Sequence, residues 1–228
     1  MKRLAVITAF FAALALSACA TQSYTPPPMD GEQADVYFKY GLGGVAFGYN
    51  LGPGPGTLGD QISAKYGSRV RIAGYYQFQD QLYELLNHTP ANIKVVIIGN
   101  SCGAVTAPFD AAQTKRTVDA VMGIQPSTDG CEGDFSGTNP IPSNVRFALD
   151  TYNPNCAETL GLGCQLYTAT SKTKLTIVQR PDLHPALSQD SFNDVLSEMA
   201  LVMSASSKFG ARHGVTELLV RYHNQRIR

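Results

Sequence analysis

Apolar residues recur along the chain with two periods, one typical of strands and the other of helices. The clearest strand pattern is Val95-Val96-Ile97-Ile98, a continuous apolar run of the kind found in buried parallel strands. The patterns predict strands at residues 35–40, 69–75, 93–98, 118–124, 144–149 and 174–179, and helices at residues 57–66, 79–87, 104–114 and 191–203. Strands that alternate with helices indicate a mostly parallel sheet with helices on both faces, which is a three-layer α/β/α sandwich.

Local signals set several of these boundaries. Thr57 can cap the first helix through its hydroxyl group, and Gly67 can end it. Pro90 stops the second helix, because proline has no backbone N–H to donate. The sequence of residues 125–143 is typical of a long loop.

The first eighteen residues are expected to be a targeting signal. Met1-Lys2-Arg3 is basic, an apolar run follows, and Leu16-Ser17-Ala18-Cys19 resembles the lipobox of bacterial lipoproteins. This resemblance implies cleavage after residue 18 and a lipid on Cys19. Residues 19–33 then form a tether stiffened by Pro26-Pro27-Pro28, and residues 34–228 form one domain. The expected location is the cell envelope, at the periplasmic face of the outer membrane, with membrane contact through the N-terminal lipid.

Composition supports one globular domain and argues against nucleic acid as a partner. The chain has 228 residues, of which 44% are hydrophobic, so it can form a sizeable core. Its 18 Lys and Arg residues balance 18 Asp and Glu residues. A nucleic-acid-binding domain usually carries an excess of positive charge, and none is present in this composition.

Five cysteines fit an oxidising compartment. Cys156 and Cys164 flank a glycine-rich loop and are the favoured disulfide pair. Cys102 can pair with Cys131 or remain a small buried thiol, and the thiol is the favoured alternative. No Cys-x-x-Cys or His-x-x-x-His spacing is present, so no metal site is expected.

The strongest chemical signal is Gly99-Asn100-Ser101-Cys102-Gly103, a G-x-S-x-G pattern between a predicted strand and a predicted helix. A serine on such a tight turn has an exposed oxygen, and the helix N-terminus offers N–H groups to a developing oxyanion. The pattern resembles the nucleophile elbow of α/β-hydrolase fold serine hydrolases, in which Ser101 would be the nucleophile. The alternative is a glycine-rich turn with an idle serine.

This resemblance implies a base and an acid later in the chain. His184 follows the last predicted strand, where the fold places its base. Asp150 follows the predicted strand 144–149 and is the favoured acid. Asp129 and Asp182 are the alternatives, and without an acid the site would be a Ser–His dyad or a degraded enzyme.

The oxyanion hole would combine the N–H of Cys102 with one from Leu42 or Gly43. These two residues belong to Gly41-Leu42-Gly43-Gly44, directly after the first predicted strand. The whole stretch from Tyr37 to Gly103 resembles a small group of bacterial α/β-hydrolase-like proteins that carry a glycine-rich loop after the first core strand and lack a large cap. A dinucleotide fingerprint is the rival interpretation, but the glycines and prolines of residues 48–56 prevent the helix that this motif requires.

Two functions follow from these residues. The first is a lipid-anchored serine hydrolase that cleaves an ester or thioester through Ser101, His184 and Asp150, without a cofactor. The second is a non-catalytic envelope lipoprotein that uses the same scaffold for binding or structure.

Overall fold

The computed structural model describes residues 31–41, 51–52, 54–127, 131, 139–156, 167–170, 172–181, 187–205 and 219–221, the last of these by backbone alone. The predicted signal peptide, the lipidation residue Cys19 and most of the tether lie outside the described residues.

Strands and helices alternate through the described chain. The strands are β1 (Ala34–Tyr40), β2 (Val70–Gln77), β3 (Lys94–Asn100), β4 (Val118–Ile124), β5 (Asn139–Pro140), β6 (Val145–Tyr152), β7 (Tyr167–Thr168), β8 (Lys174–Gln179) and β9 (Leu219–Arg221). The helices are α1 (Leu58–Tyr66), α2 (Tyr83–His88), α3 (Cys102–Gln113) and α4 (Gln189–Ser204), with a short 3₁₀ turn at Gly67–Arg69.

Seven strands form one sheet in the order β2-β1-β3-β4-β6-β8-β9, and every neighbouring pair is parallel. β2 lies on one side of β1, whereas all later strands of the sheet lie on the other side. The strand order therefore reverses between β1 and β3. In open parallel sheets such a reversal leaves a crevice at the carboxyl ends of the strands, where ligands bind.

Two apolar layers sandwich this sheet. On one face α1 and α4 bury Leu58, Ile62, Val195 and Met199 against alternate residues of the central strands. On the other face α2 and α3 bury Leu86, Ala107 and Ala111, together with Leu82 directly before α2, against the intervening residues. The predicted three-layer α/β fold with a parallel sheet is confirmed.

The predicted signals around α1 are also confirmed. The hydroxyl of Thr57 accepts a hydrogen bond from Asp60 N–H at 3.2 Å, and Gly67 is the C-cap with φ of 58°. The second predicted helix is wrong at its start, because α2 begins at Tyr83 rather than at residue 79. Asp80 instead closes a turn by accepting the backbone N–H of Gln77 at 2.8 Å.

The predicted end of the strand before Asp150 is wrong. β6 continues to Tyr152, because Thr151 and Tyr152 favour extended structure and Thr151 pairs with Ile124 of β4. Asp150 therefore lies within the sheet, between Gly123 and Ile177, and does not follow the strand. The short strands β5, β7 and β9 were not predicted, and β5 lies inside the predicted loop 125–143.

Candidate functional site around Ser101

Ser101 occupies a strained turn between β3 and α3. β3 ends at Asn100 and α3 begins at Cys102, so the whole change of direction falls on one residue. The backbone of Ser101 has φ of 54° and ψ of −126°, a conformation that L-residues rarely adopt. Its hydroxyl does not cap α3. A serine held in this way has a side-chain oxygen that the helix does not use.

The two glycines of the motif are required by close backbone packing. A Cβ atom on Gly103 would lie 2.2 Å from the carbonyl oxygen of Lys39, and one on Gly99 would lie 2.4 Å from the carbonyl oxygen of Gly103. Both contacts are with backbone atoms, which cannot move aside as a flexible side chain can. The prediction that these glycines let neighbouring backbone pass is confirmed.

Gly41 brings the end of β1 against the same serine. A Cβ atom on Gly41 would lie 2.6 Å from Ser101 Cβ and 3.0 Å from Ser101 Oγ. β1 and β3 are the strands between which the sheet order reverses. Ser101 thus lies at the carboxyl end of β3, beside the point of reversal where open parallel sheets bind ligands.

A second strained residue adjoins the first. Ser101 and Gln125 are the two non-glycine residues with positive φ among those the structure describes, and Gln125 has φ of 48°. They follow the neighbouring strands β3 and β4, and the N–H of Ser101 donates to Ile124 O at 3.2 Å. Ser127 N–H donates in turn to Ser101 O at 3.4 Å. Backbone strain of this kind concentrates at functional sites, where the surroundings hold it in place.

The N-terminus of α3 begins directly after Ser101. Ser101 O accepts hydrogen bonds from the N–H groups of Ala104 and Val105. Cys102 occupies the first helical position, where the N–H group has no acceptor within the helix and the helix dipole is positive. This is the predicted oxyanion donor. Its predicted partners, Leu42 and Gly43, lie outside the described residues.

Cys102 forms a disulfide bond with Cys131, with the two Cα atoms 5.5 Å apart. The favoured expectation of a free buried thiol at Cys102 is therefore wrong. The two cysteines are 29 positions apart in the sequence and become neighbours only when β4 pairs with β3, so local sequence does not predict their pairing. Cys156 is also disulfide-bonded, while its predicted partner Cys164 lies outside the described residues.

Asp150 is completely buried in the sheet. Its Oδ2 accepts the backbone N–H of Tyr167, and Oδ1 has no hydrogen-bond partner among the residues that the structure describes. Burial raises the pKa of Asp150 to about 8, although the Tyr167 hydrogen bond acts in the opposite direction. The carboxyl group is therefore mostly protonated at neutral pH.

Tyr167 connects Asp150 to the helix that follows Ser101. Its ring covers Gly123, where an added Cβ would lie 2.5 Å from the Tyr167 hydroxyl oxygen, and the hydroxyl donates to Ala104 O. Burial raises the pKa of this hydroxyl well above its ordinary value, so it remains a donor. No sequence signal identified Tyr167, because its role depends on a contact across 63 residues.

The predicted base His184 and the alternative acids Asp129 and Asp182 lie outside the described residues. The described residues before and after His184 in the sequence are packed in the fold. Arg180 donates twice to the Asp194 carboxylate of α4, at 2.7 Å each, and Leu187 is buried in the core.

A buried ion pair fixes α3 against β1. Lys39 Nζ donates to Asp110 Oδ2 of α3 and, at 3.0 Å, to Asp80 O, while Asp110 Oδ1 accepts Leu82 N–H at 2.8 Å. Burial lowers the pKa of Lys39 and raises that of Asp110, and the charge of each partner opposes the shift of the other. The sequence feature that could have indicated this ion pair is Lys39, a charged residue within the largely apolar strand pattern of residues 35–40. A cavity of about 270 Å³ lies beside this pair.

Within the described ranges, no group of three or more His, Cys, Asp or Glu side chains could hold a metal ion. In the same part of the chain, no helix has both the length and the apolar character needed to cross a bilayer. Comparison with known proteins identifies no matching family model, curated protein or solved structure. The functional interpretation therefore depends on the geometry around Ser101.

Proposed function

We propose that this protein is a serine hydrolase that cleaves an acyl ester or thioester, with Ser101 as the nucleophile. The observation that carries the proposal is the backbone of Ser101, with φ of 54°, at a strand–helix turn beside the point where the strand order reverses. A turn with no chemical role gains nothing from a strained serine, since glycine adopts a positive φ without the same cost.

The proposed reaction begins when Ser101 Oγ attacks the acyl carbonyl carbon. His184 takes the hydroxyl proton and passes it to the leaving alcohol or thiol as the tetrahedral intermediate collapses. Water then attacks the acyl-enzyme in the same way, which releases the acid and restores the serine. Cys102 N–H, with a second N–H from Leu42 or Gly43, would stabilise the oxyanion.

Asp150 is the proposed acid, and its Oδ1, which has no hydrogen-bond partner among the described residues, supports this role. A His184 N–H that donates to this atom would satisfy a buried acceptor, which otherwise costs about 1–3 kcal/mol. Because an ionised carboxylate stabilises an imidazolium better than a neutral acid does, and the pKa of Asp150 is about 8, we expect activity to rise as the pH increases through 8.

The experiment is a kinetic comparison on p-nitrophenyl esters and an acyl thioester. Ser101→Ala and His184→Ala should each lower kcat by about 1,000-fold or more. Ser127→Ala is the matched control, since Ser127 is a buried serine next to the turn and should keep kcat within about threefold. Hydrolysis that survives Ser101→Ala, or no hydrolysis by folded wild type, would overturn the proposal.

The buried, protonated state of Asp150 favours a second candidate function, a non-catalytic envelope lipoprotein on the same scaffold. In that case Asp150 only holds Tyr167 in place, and folded wild type shows no hydrolysis. Both candidates include lipidation of Cys19, which predicts that a palmitate analogue labels wild type in bacteria and does not label Cys19→Ala.

A further inference from the structure

The disulfide between Cys102 and Cys131 joins the residue directly after Ser101 to the segment that follows β4. The same segment already contacts the strained turn through Ser127 N–H, whose hydrogen bond to Ser101 O is 3.4 Å long and therefore weak. The disulfide is the covalent connection between these two parts of the site.

We propose that the Cys102–Cys131 disulfide positions Ser101 for reaction, and that its reduction lowers the reactivity of the serine while the fold persists. This inference rests on the proposed function. Cys102 and Cys131 are thus positioning residues, since they act through Ser101 and the first N–H of α3.

Strain provides the physical reason. The backbone of Ser101 persists at φ of 54° only while its surroundings hold it there, because such conformations are energetically costly for a residue other than glycine. Reduction removes one restraint on α3 at its first residue. The oxyanion donor is the N–H of that same residue, so a small displacement changes the geometry on which the reaction depends.

The sheet does not depend on this bond. β3 and β4 pair in parallel from Val96 to Asn100, and α3 is held separately by the Lys39–Asp110 pair and by Tyr167. We therefore expect the reduced protein to stay folded and to differ from the oxidised protein only in the lower reactivity of Ser101.

The two sulfur atoms differ in access. Cys102 is fully buried, whereas Cys131 is partly exposed, so a thiolate reductant attacks Cys131 Sγ. The S–S bond breaks and Cys102 leaves as a thiolate at the N-terminus of α3, where the helix dipole stabilises it. The second thiol of a dithiol reductant then releases Cys131. The disulfide gains two electrons and two protons, and the dithiol becomes a cyclic disulfide.

The test uses the full chain and an organophosphate that releases p-nitrophenol when it modifies a reactive serine. The rate constant of inactivation is measured for oxidised wild type, for wild type reduced with a dithiol, and for Cys102→Ala/Cys131→Ala. We expect both altered forms to react at least about tenfold more slowly, and reoxidation of the reduced wild type to restore its rate.

Cys156→Ala is the matched control, because it breaks a disulfide that does not involve the residue after Ser101. Its rate should remain within about twofold of wild type, with folding of every form followed by circular dichroism. With ester substrates, kcat is expressed per folded molecule, because a loss of folded protein would itself lower the apparent kcat. On that basis the double variant should still lose kcat while KM stays unchanged.

Two outcomes overturn the inference and differ in what else they imply. If oxidised wild type reacts and the folded double variant reacts at the same rate, the positioning role is wrong and the hydrolase proposal stands. If oxidised wild type does not react at all, the hydrolase proposal fails and this inference fails with it. Should the double variant fail to fold, the reduced and reoxidised wild type decide between these outcomes.

Discussion

The edge of the sheet at the carboxyl ends of its strands (the carboxyl edge) differs from the edge at their amino ends (the amino edge) in how polar groups are used. At the carboxyl edge, Ser101 and Gln125 hold strained backbone, and Gly41 touches the serine. At the amino edge, charged side chains surround a cavity of about 360 Å³, which is larger than the 270 Å³ cavity beside Lys39. By size and charge alone, the amino edge would be the more attractive binding site.

The charges of the amino edge are already engaged by the protein itself. Lys94 Nζ donates to the last carbonyls of α4, and Arg116 donates to the carbonyls that precede β3. Asp119 accepts from Val95 N–H and from Arg146, at 3.0 Å each. These bonds stabilise the fold. Backbone strain and close packing therefore indicate the candidate site, whereas charge and cavity volume indicate a region whose role is structural.

The largest difference between the edges should appear in the pH dependence of stability. The pKa of Asp150 is about 8 in the folded protein, against an ordinary value of 3.8. Below pH 3.8 both states are protonated, while at higher pH the unfolded chain ionises and the folded state does not. Folding stability therefore falls as the pH rises to about 8.

Asp150→Asn cannot ionise and removes this effect. Relative to wild type, its free energy of unfolding should increase between pH 4 and pH 8 by as much as about 5 kcal/mol, since each pKa unit is worth about 1.4 kcal/mol. Urea denaturation at several pH values measures it, with Asp60→Asn, at an exposed position of α1, as the control. A difference that stays constant with pH would contradict the buried, protonated Asp150.

Gly103→Ala tests the close packing at the carboxyl edge. Its Cβ would lie 2.2 Å from the carbonyl oxygen of Lys39, so α3 must separate from β1. We expect a loss of about 4 kcal/mol or more in unfolding free energy. Gly67→Ala, where no atom of the described residues lies within 4 Å of the new Cβ, should cost about 1–2 kcal/mol for its positive φ alone. Equal losses in the two variants would show that the packing is looser than described.

Lys94→Met tests whether the charged groups of the amino edge contribute only to stability. It removes three hydrogen bonds from a charged group to the carbonyls of Val202, Met203 and Ala205, at 2.8–3.0 Å. Unfolding free energy should fall by about 2–3 kcal/mol, while ester hydrolysis by the folded protein stays unchanged. The exposed Lys115→Met should alter stability by less than about 0.5 kcal/mol. If a folded Lys94→Met protein lost hydrolysis, the active site would lie at the amino edge, which contradicts the assignment to Ser101.

Ser101→Gly should have the smallest effect on stability, and it should stabilise the protein. Glycine adopts the backbone conformation of residue 101 with less strain, so the free energy of unfolding should rise by about 1 kcal/mol. The same substitution at Ser63, which is exposed in α1, should lower it by about 0.5 kcal/mol. Thermal unfolding of both variants measures the effect. Destabilisation of Ser101→Gly equal to that of Ser63→Gly would remove the argument from strain.

Local patterns were sufficient to predict the core of the fold. The apolar run of β3, the glycines after it and the Thr57 cap each act within a few residues, and these elements form where the sequence places them. The end of β6 was mispredicted because a charged residue suggests a strand end. In this case its carboxyl group is protonated within the sheet.

The rest of the candidate site depends on contacts between distant parts of the chain. Cys102 meets Cys131 only after β4 has paired with β3, and Tyr167 reaches Ala104 only after β6 has joined the sheet. Gln125 carries no residue-type signal for its positive φ, since glutamine is not a residue that turns of this kind favour. Such features follow from topology and not from spacing along the sequence.

Labelling of the full chain with a fluorophosphonate, followed by peptide mass spectrometry, tests the central claim most directly. The account predicts one adduct, on the peptide that contains Ser101, in wild type and in Lys94→Met, and none in Ser101→Ala. A folded wild-type protein that acquires no adduct, or one that acquires its adduct on another serine, would contradict the claim that the strained turn at the carboxyl edge holds a reactive nucleophile.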